Sequence, residues 1–140
     1  EILLTGITNI FQFPNDKPIV YICNGTGITP CISYLKSRKE GKVPNAHKLS
    51  IFTGFRNASV DKNETIYEDF ITTTVNSLNK QSELINYYRC LSVSTDNEEE
   101  EIGIWRNCRL NTYYVQDMIL EHSEELYRLL FEDNGILFLI

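Results

Sequence analysis

Apolar residues along this chain fall into short unbroken runs, and between the runs they recur at helical spacing. Pro18-Ile19-Val20-Tyr21-Ile22-Cys23 is β-branched and aromatic, which predicts a buried strand over about 18–23. Leu49-Ser50-Ile51-Phe52-Thr53 before Gly54 predicts a second over about 48–54, and Tyr87 through Leu91 to Val93 a third over about 87–94. Ile136 to Ile140, apolar throughout, predicts a fourth. A helix is expected over about 30–40, with Pro30 in its first turn, where a missing N–H costs nothing. Lys36, Arg38 and Lys39 suit the dipole at its far end, near Gly41. A second helix, about 65–78, follows the polar loop from Arg56 to Asn63. The last helix has the clearest pattern: Val115, Met118, Ile119, His122, Leu126, Leu129 and Leu130 form one stripe. Asn111 or Thr112 is expected to cap it and Gly135 to stop it. His122, on that stripe, reads as a packed core residue.

Buried strands alternating with amphipathic helices predict an α/β fold with a parallel sheet and helices on both faces. In such sheets ligands bind beyond the carboxyl ends of the strands, which is where Gly25, Gly54 and Ser94 fall. At 140 residues and 42% hydrophobic the chain has the size and composition of one ordinary globular domain. It starts at Glu1 and stops at Ile140 inside an apolar run, so both ends read as cuts within a longer polypeptide.

Charge and cysteine usage narrow the function classes. The net charge is −6, and Asp96 with Glu98 to Glu101 supplies five of the negative charges, a run that reads as a solvated loop. No basic, aromatic-interleaved face appears, which argues against nucleic acid as a partner. No apolar run is long enough to cross a bilayer. Cys23, Cys31, Cys90 and Cys108 lack C-x-x-C spacing, so no zinc site is expected. The thiols point to a reducing, cytoplasmic setting, in which the sequons at Asn24, Asn57 and Asn63 are accidental.

Candidate chemistry centres on Asn24-Gly25-Thr26-Gly27-Ile28-Thr29-Pro30, between the first strand and the first helix. Glycines let backbone approach a ligand closely, and free N–H groups at a helix start attract its negative charge. The turn is not a Walker loop, since no Lys follows the second glycine. Nor is it G-x-G-x-x-G, because Pro30 stands where the third glycine would be. A turn with two glycines is equally read as a tight turn and nothing more.

Several segments in order carry a resemblance: Phe-x-Phe-Pro at 11–14, Pro18-Ile-Val-Tyr-Ile, Gly25-Thr-Gly-Ile-Thr-Pro30, Gly54-Phe-Arg56, Tyr67-Glu68-Asp69, Tyr114-Val115-Gln116-Asp117 and Glu121-His-Ser-Glu-Glu-Leu126. Together they resemble the NADP(H)-binding domain of ferredoxin-NADP reductase-like flavoenzymes. Within that family the likeness is strongest to the diflavin group of NADPH–cytochrome reductases, nitric oxide synthase reductase halves and sulfite reductase flavoprotein. The resemblance implies a Rossmann-like nucleotide-binding half over 18–140, truncated at its C-terminal end. Residues 1–17 would lead in from a preceding FAD-binding domain of the same parent chain. NADP(H), or NAD(H), would deliver a hydride to FAD, and electrons would pass to FMN or another downstream redox acceptor.

By position, Gly25, Thr26 and Gly27 would cradle the pyrophosphate, and Arg56 would meet the phosphate or ribose. Ser94, Thr95 and the stretch Thr112 to Gln116, including Tyr114 and Gln116, would surround the adenosine. No residue of the fragment is expected to be catalytic. Arg56 is also readable as a solvated loop charge, and Tyr114 as a hydrophobic staple. The family has Ser-Arg and Lys-x-Tyr where this chain has Ser94-Thr95 and Thr112-Tyr113-Tyr114. Both cations for the 2′-phosphate are therefore missing, with an acidic run alongside; Arg106 and Arg109 are the local substitutes. Two readings follow: a nucleotide-binding reductase module, or a regulatory or interaction domain that kept the fold and lost nucleotide binding.

Overall fold

A computed structural model describes residues 12–55, 62–91 and 114–140. In chain order the elements are β1 (Ile19–Asn24), a 3-10 turn (Gly25–Ile28), α1 (Thr29–Lys39), β2 (Leu49–Phe55), α2 (Lys62–Asn79), β3 (Ile85–Leu91), α3 (Val115–Glu121), α4 (Ser123–Tyr127), a π-type segment (Arg128–Glu132) and β4 (Ile136–Leu139). The strands form one parallel sheet in the order β3-β2-β1-β4. This is the α/β, Rossmann-like architecture that the alternation of runs and stripes predicts.

Strand β1 lies inside the sheet and is covered on both faces. Ile19, Tyr21 and Cys23 pack with Cys31, Tyr34 and Leu35 of α1 and Ile71 and Val75 of α2. Val20 and Ile22 pack with Phe52, Tyr88, Val115, Met118, Leu126 and Leu129 on the opposite face. Burying each such side chain contributes ~1.5–3 kcal/mol, which is why the run lacks polar alternation. Chain connections explain the layering. The path steps outward from β1 to β2 to β3 and then returns to the other side of β1. Right-handed crossovers taken in opposite directions place their helices on opposite faces. The strand order therefore reverses at β1, and the space beyond its carboxyl end is a topological switch point.

Polar residues inside these layers have specific partners. Arg38 is buried rather than solvated at the end of α1. It donates to Asn45 Oδ1 (3.0 Å), the Tyr34 hydroxyl (3.0 Å) and the His47 carbonyl (3.1 Å), which secures the segment leading to β2. Glu68 of α2 and Arg89 of β3 form an ion pair across the helix–sheet interface. Asn79 closes α2 onto β3 by exchanging hydrogen bonds with the Ile85 backbone (2.8 and 3.0 Å).

Two expectations are revised. The apolar stripe from Val115 to Leu130 is not one continuous helix but breaks at His122 (φ −102°, ψ 21°) and ends in the π-type segment. Side chains on the sheet impose the break. The His122 ring lies 4.2 Å from that of Tyr88, and Glu125 is drawn onto the polar residues of β2 and β3. The chain leaves this segment through Asn134 at φ 55°, one residue ahead of Gly135. Strand β4 borders the sheet, and Leu137 and Leu139 are exposed, so it is not buried on both faces.

Glu125 accepts from Ser50 Oγ (2.9 Å), Asn86 Nδ2 (3.0 Å) and the Tyr88 hydroxyl (2.9 Å), and it faces His122 Nδ1 at 3.6 Å. Replacing Glu125 by Ala strands the buried Ser50 and Tyr88 hydroxyls, at a cost of ~2 kcal/mol of unfolding free energy. Glu125→Gln, which keeps an acceptor, costs less. Urea unfolding of the two variants beside the wild type checks this order.

Candidate functional site

The site is built where β1 stops. Asn24 is the last extended residue (φ −121°, ψ 143°), and the chain then turns through Gly25–Ile28 into α1. Gly25 holds φ +50°, a backbone state that costs side-chain-bearing residues energy, and the space where its Cβ would stand is open. Gly27 serves a different purpose: a Cβ there would meet Cys23 Cβ at 3.1 Å and Ile140 Cγ2 at 3.3 Å. It allows the turn to sit tightly against the ends of β1 and β4. Thr26 is exposed, and its carbonyl accepts from both the backbone N–H and the hydroxyl of Thr29, the latter at 2.9 Å.

Donors at this turn differ from the simple helix-start picture. In α1 the Thr29 amide is bonded to Thr26 and Pro30 has none. The pairing of Asn24 with Gly54 carries the parallel ladder up to the Gly25 amide, so the sheet ends where the 3-10 turn begins.

Beside the turn, the rows of the sheet align Asn24 with Gly54, and Gly54 with Cys90. A Cβ on Gly54 would overlap the Asn24 side chain and come within 2.7 Å of Val115 Cγ2. Gly54 thus brings Asn24 and the start of α3 together over the carboxyl rim. Tyr114 is the N-cap of α3, and its N–H donates to Asp117 Oδ2 at 3.0 Å. Asn111 and Thr112, expected as caps, lie outside the described residues. Tyr114 is 58% exposed at the rim, which argues against the hydrophobic-staple reading. Gln116 is exposed one turn-side along from it.

Of the residues proposed from sequence, Gly25, Thr26 and Gly27 fall on the same rim as Tyr114 and Gln116, joined through Asn24, Gly54 and Val115. Arg56, Ser94, Thr95 and Thr112 lie outside the described residues, as do Arg106, Arg109 and Cys108. Sequence reading placed Asn24 in the loop without a role of its own, and it missed Tyr21. Asn24 is exposed at the mouth of the turn, and the buried Tyr21 hydroxyl donates to the Gly27 carbonyl at 2.6 Å. His122 is packed against Tyr88 and Phe52, as its place on the stripe predicts. Among the described residues no cluster of His, Cys, Asp and Glu could hold a metal, and no helix is long and apolar enough to cross a membrane.

With a Gly-Thr-Gly turn at the switch point of a parallel sheet, comparison with characterised proteins becomes informative. The chain is 27% identical over 138 residues to the apicoplast ferredoxin–NADP reductase of Plasmodium falciparum (isolate 3D7), covering 92% of this chain and 33% of that protein. It is also 27% identical over 146 residues to methionine synthase reductase of Rattus norvegicus, covering 99% of this chain and 19% of that protein. The likeness is to ferredoxin-NADP reductase-like flavoenzymes. No protein-family profile matches the chain. The chain spans a third or less of the length of these curated relatives. Both alignments cover nearly the whole chain, including the turn, which two coincidental glycines would not produce.

Under the turn lie two thiols. Burial pushes the Cys23 thiol up to about 12, and that of Cys31, fully enclosed, well above its ordinary value. Neither forms thiolate at neutral pH, so neither is a nucleophile. Cys23 and Cys31 should resist N-ethylmaleimide at pH 7.5 in the folded chain and react once urea unfolds it, as read by peptide mass spectrometry.

Proposed function

We propose that the chain is the pyridine-nucleotide-binding module of a flavin-dependent oxidoreductase, positioning NADPH for hydride transfer to FAD on an adjacent domain of the parent protein. The observation that carries this reading is the open Gly25–Thr26 turn at the switch point of the sheet, in a chain similar along nearly its whole length to two flavin reductases. Its fit to a dinucleotide rests on chemistry at the rim. The turn and the start of α1 offer backbone N–H groups to a pyrophosphate. The exposed Tyr114 ring offers a face to adenine, and Asn24 adds a polar side chain between them. Bound there, the nicotinamide supplies a hydride to a flavin, and this chain's part is to hold and orient it.

Residues 1–17 would carry the connection from the FAD domain, and FMN or another redox acceptor would follow downstream, as in diflavin and nitric oxide synthase-like enzymes. A cytoplasmic setting suits thiols buried as deeply as Cys23 and Cys31. Arg56, Ser94, Thr95 and Thr112 complete the proposed cradle by position. Thr95 and Thr112 stand where the family places cations, and Asp96 to Glu101 repel a dianion. That substitution pattern is what favours the second reading, a domain that kept the fold without the ligand.

Each charge-assisted contact to a 2′-phosphate is worth ~1.5–3 kcal/mol, so losing two removes most of the preference for NADPH over NADH. Calorimetric titration of both nucleotides should give modest and similar affinities. An Arg106→Ala/Arg109→Ala double variant should erase whatever NADPH preference remains. A strong preference that survives the double variant would misplace the 2′-phosphate site, and no binding of either nucleotide would favour the second reading.

A further inference from the structure

We propose that Tyr21 is a positioning residue for the Gly25–Ile28 turn, a strut from the hydrophobic core that fixes the amides facing the nucleotide; the inference rests on the nucleotide-binding reading. The need for a strut comes from Pro30. The Gly27 carbonyl would ordinarily accept from an N–H three or four residues ahead. Residue 30 has no N–H. The Tyr21 hydroxyl donates to the Gly27 carbonyl at 2.6 Å. A side-chain donor from the core thus holds a backbone carbonyl that residue 30 cannot serve.

The strut is rigid because its ring cannot move. Tyr21 is fully buried, and its ring packs against the Phe13 (5.8 Å) and Phe138 (6.2 Å) rings, which themselves meet at 4.7 Å. Below, Cys23 and Ile140 set how closely Gly27 can approach the strands. Tyr21 sets the tilt of the Gly27 carbonyl and so the path of the two preceding residues. Those are Gly25 and Thr26, at the mouth of the site. An aliphatic residue at this strand position would fill the same core and hold nothing.

Tyr21→Phe keeps the ring and deletes the strut, and Tyr34→Phe is its control. The Tyr34 hydroxyl is also buried, but it bonds to Arg38 and not to the turn. In the 140-residue chain, Tyr21→Phe should weaken NADP+ binding about tenfold, the value of one hydrogen bond lost. It should also speed hydrogen exchange across the Gly25–Ile28 turn and shift its amide resonances. Tyr34→Phe should leave NADP+ affinity within about twofold and those resonances in place. Equal effects of the two variants on affinity, exchange and resonances would overturn the proposal. Wild-type chain that fails to bind NADP+ would overturn the nucleotide reading instead. The strut would then stand or fall on the exchange and resonance data alone.

Discussion

Strand β1 is the constraint on which everything else depends. It is the strand through which the chain's one reversal of direction passes, with β2 on one side and β4 on the other. Both its faces must be dry, so Ile19, Val20, Tyr21, Ile22 and Cys23 follow one another without a polar break. Covering the two faces requires helices on both sides. Right-handed connection then requires the later helices to arrive after the chain has crossed back over β1. The layer order and the place of the site both follow from that single strand. Its carboxyl end is the one point on the rim where flanking connections leave in opposite directions, so a crevice opens there.

The rim itself is shaped from below. Gly27 rests on Cys23 and Ile140, and its carbonyl is held by Tyr21. Gly54 lets Asn24 and Val115 meet above β2. These contacts tie the turn after β1 to the start of α3, which is otherwise separated from it by some ninety residues of chain. Packing in the core is thereby converted into the placement of polar groups at the surface. The two buried thiols belong to this packing and have no chemical task of their own.

Much of this was legible in the sequence because burial and periodicity leave direct traces. The run 18–23 marks β1, and the Val115–Leu130 stripe marks the helical cover of one face. The same stripe concealed the break at His122, because periodicity reports which side faces the core and not whether the axis is continuous. Ser50, Asn86 and Tyr88 pull Glu125 inward, a tertiary demand that no local pattern records. Arg38 read only as a cation suited to the dipole at a helix end, yet its partners lie seven and nine residues further on, in a loop whose path the sequence does not specify. At the site, the glycines were visible and the tyrosine was not. A tyrosine in a buried strand reads as apolar, and the strand pattern does not record that its hydroxyl meets the Gly27 carbonyl.

The central claim is that the carboxyl rim around the Gly25–Gly27 turn is where this chain meets a pyridine nucleotide. Amide chemical-shift mapping of the labelled chain with NADP+ tests it most directly. The account predicts saturable shifts at Asn24, Gly25, Thr26, Gly27, Gly54, Val115 and Gln116, with the amino-end residues of the strands unmoved. Shifts concentrated elsewhere, for example around Lys39 and Lys80 at the far ends of α1 and α2, would contradict it.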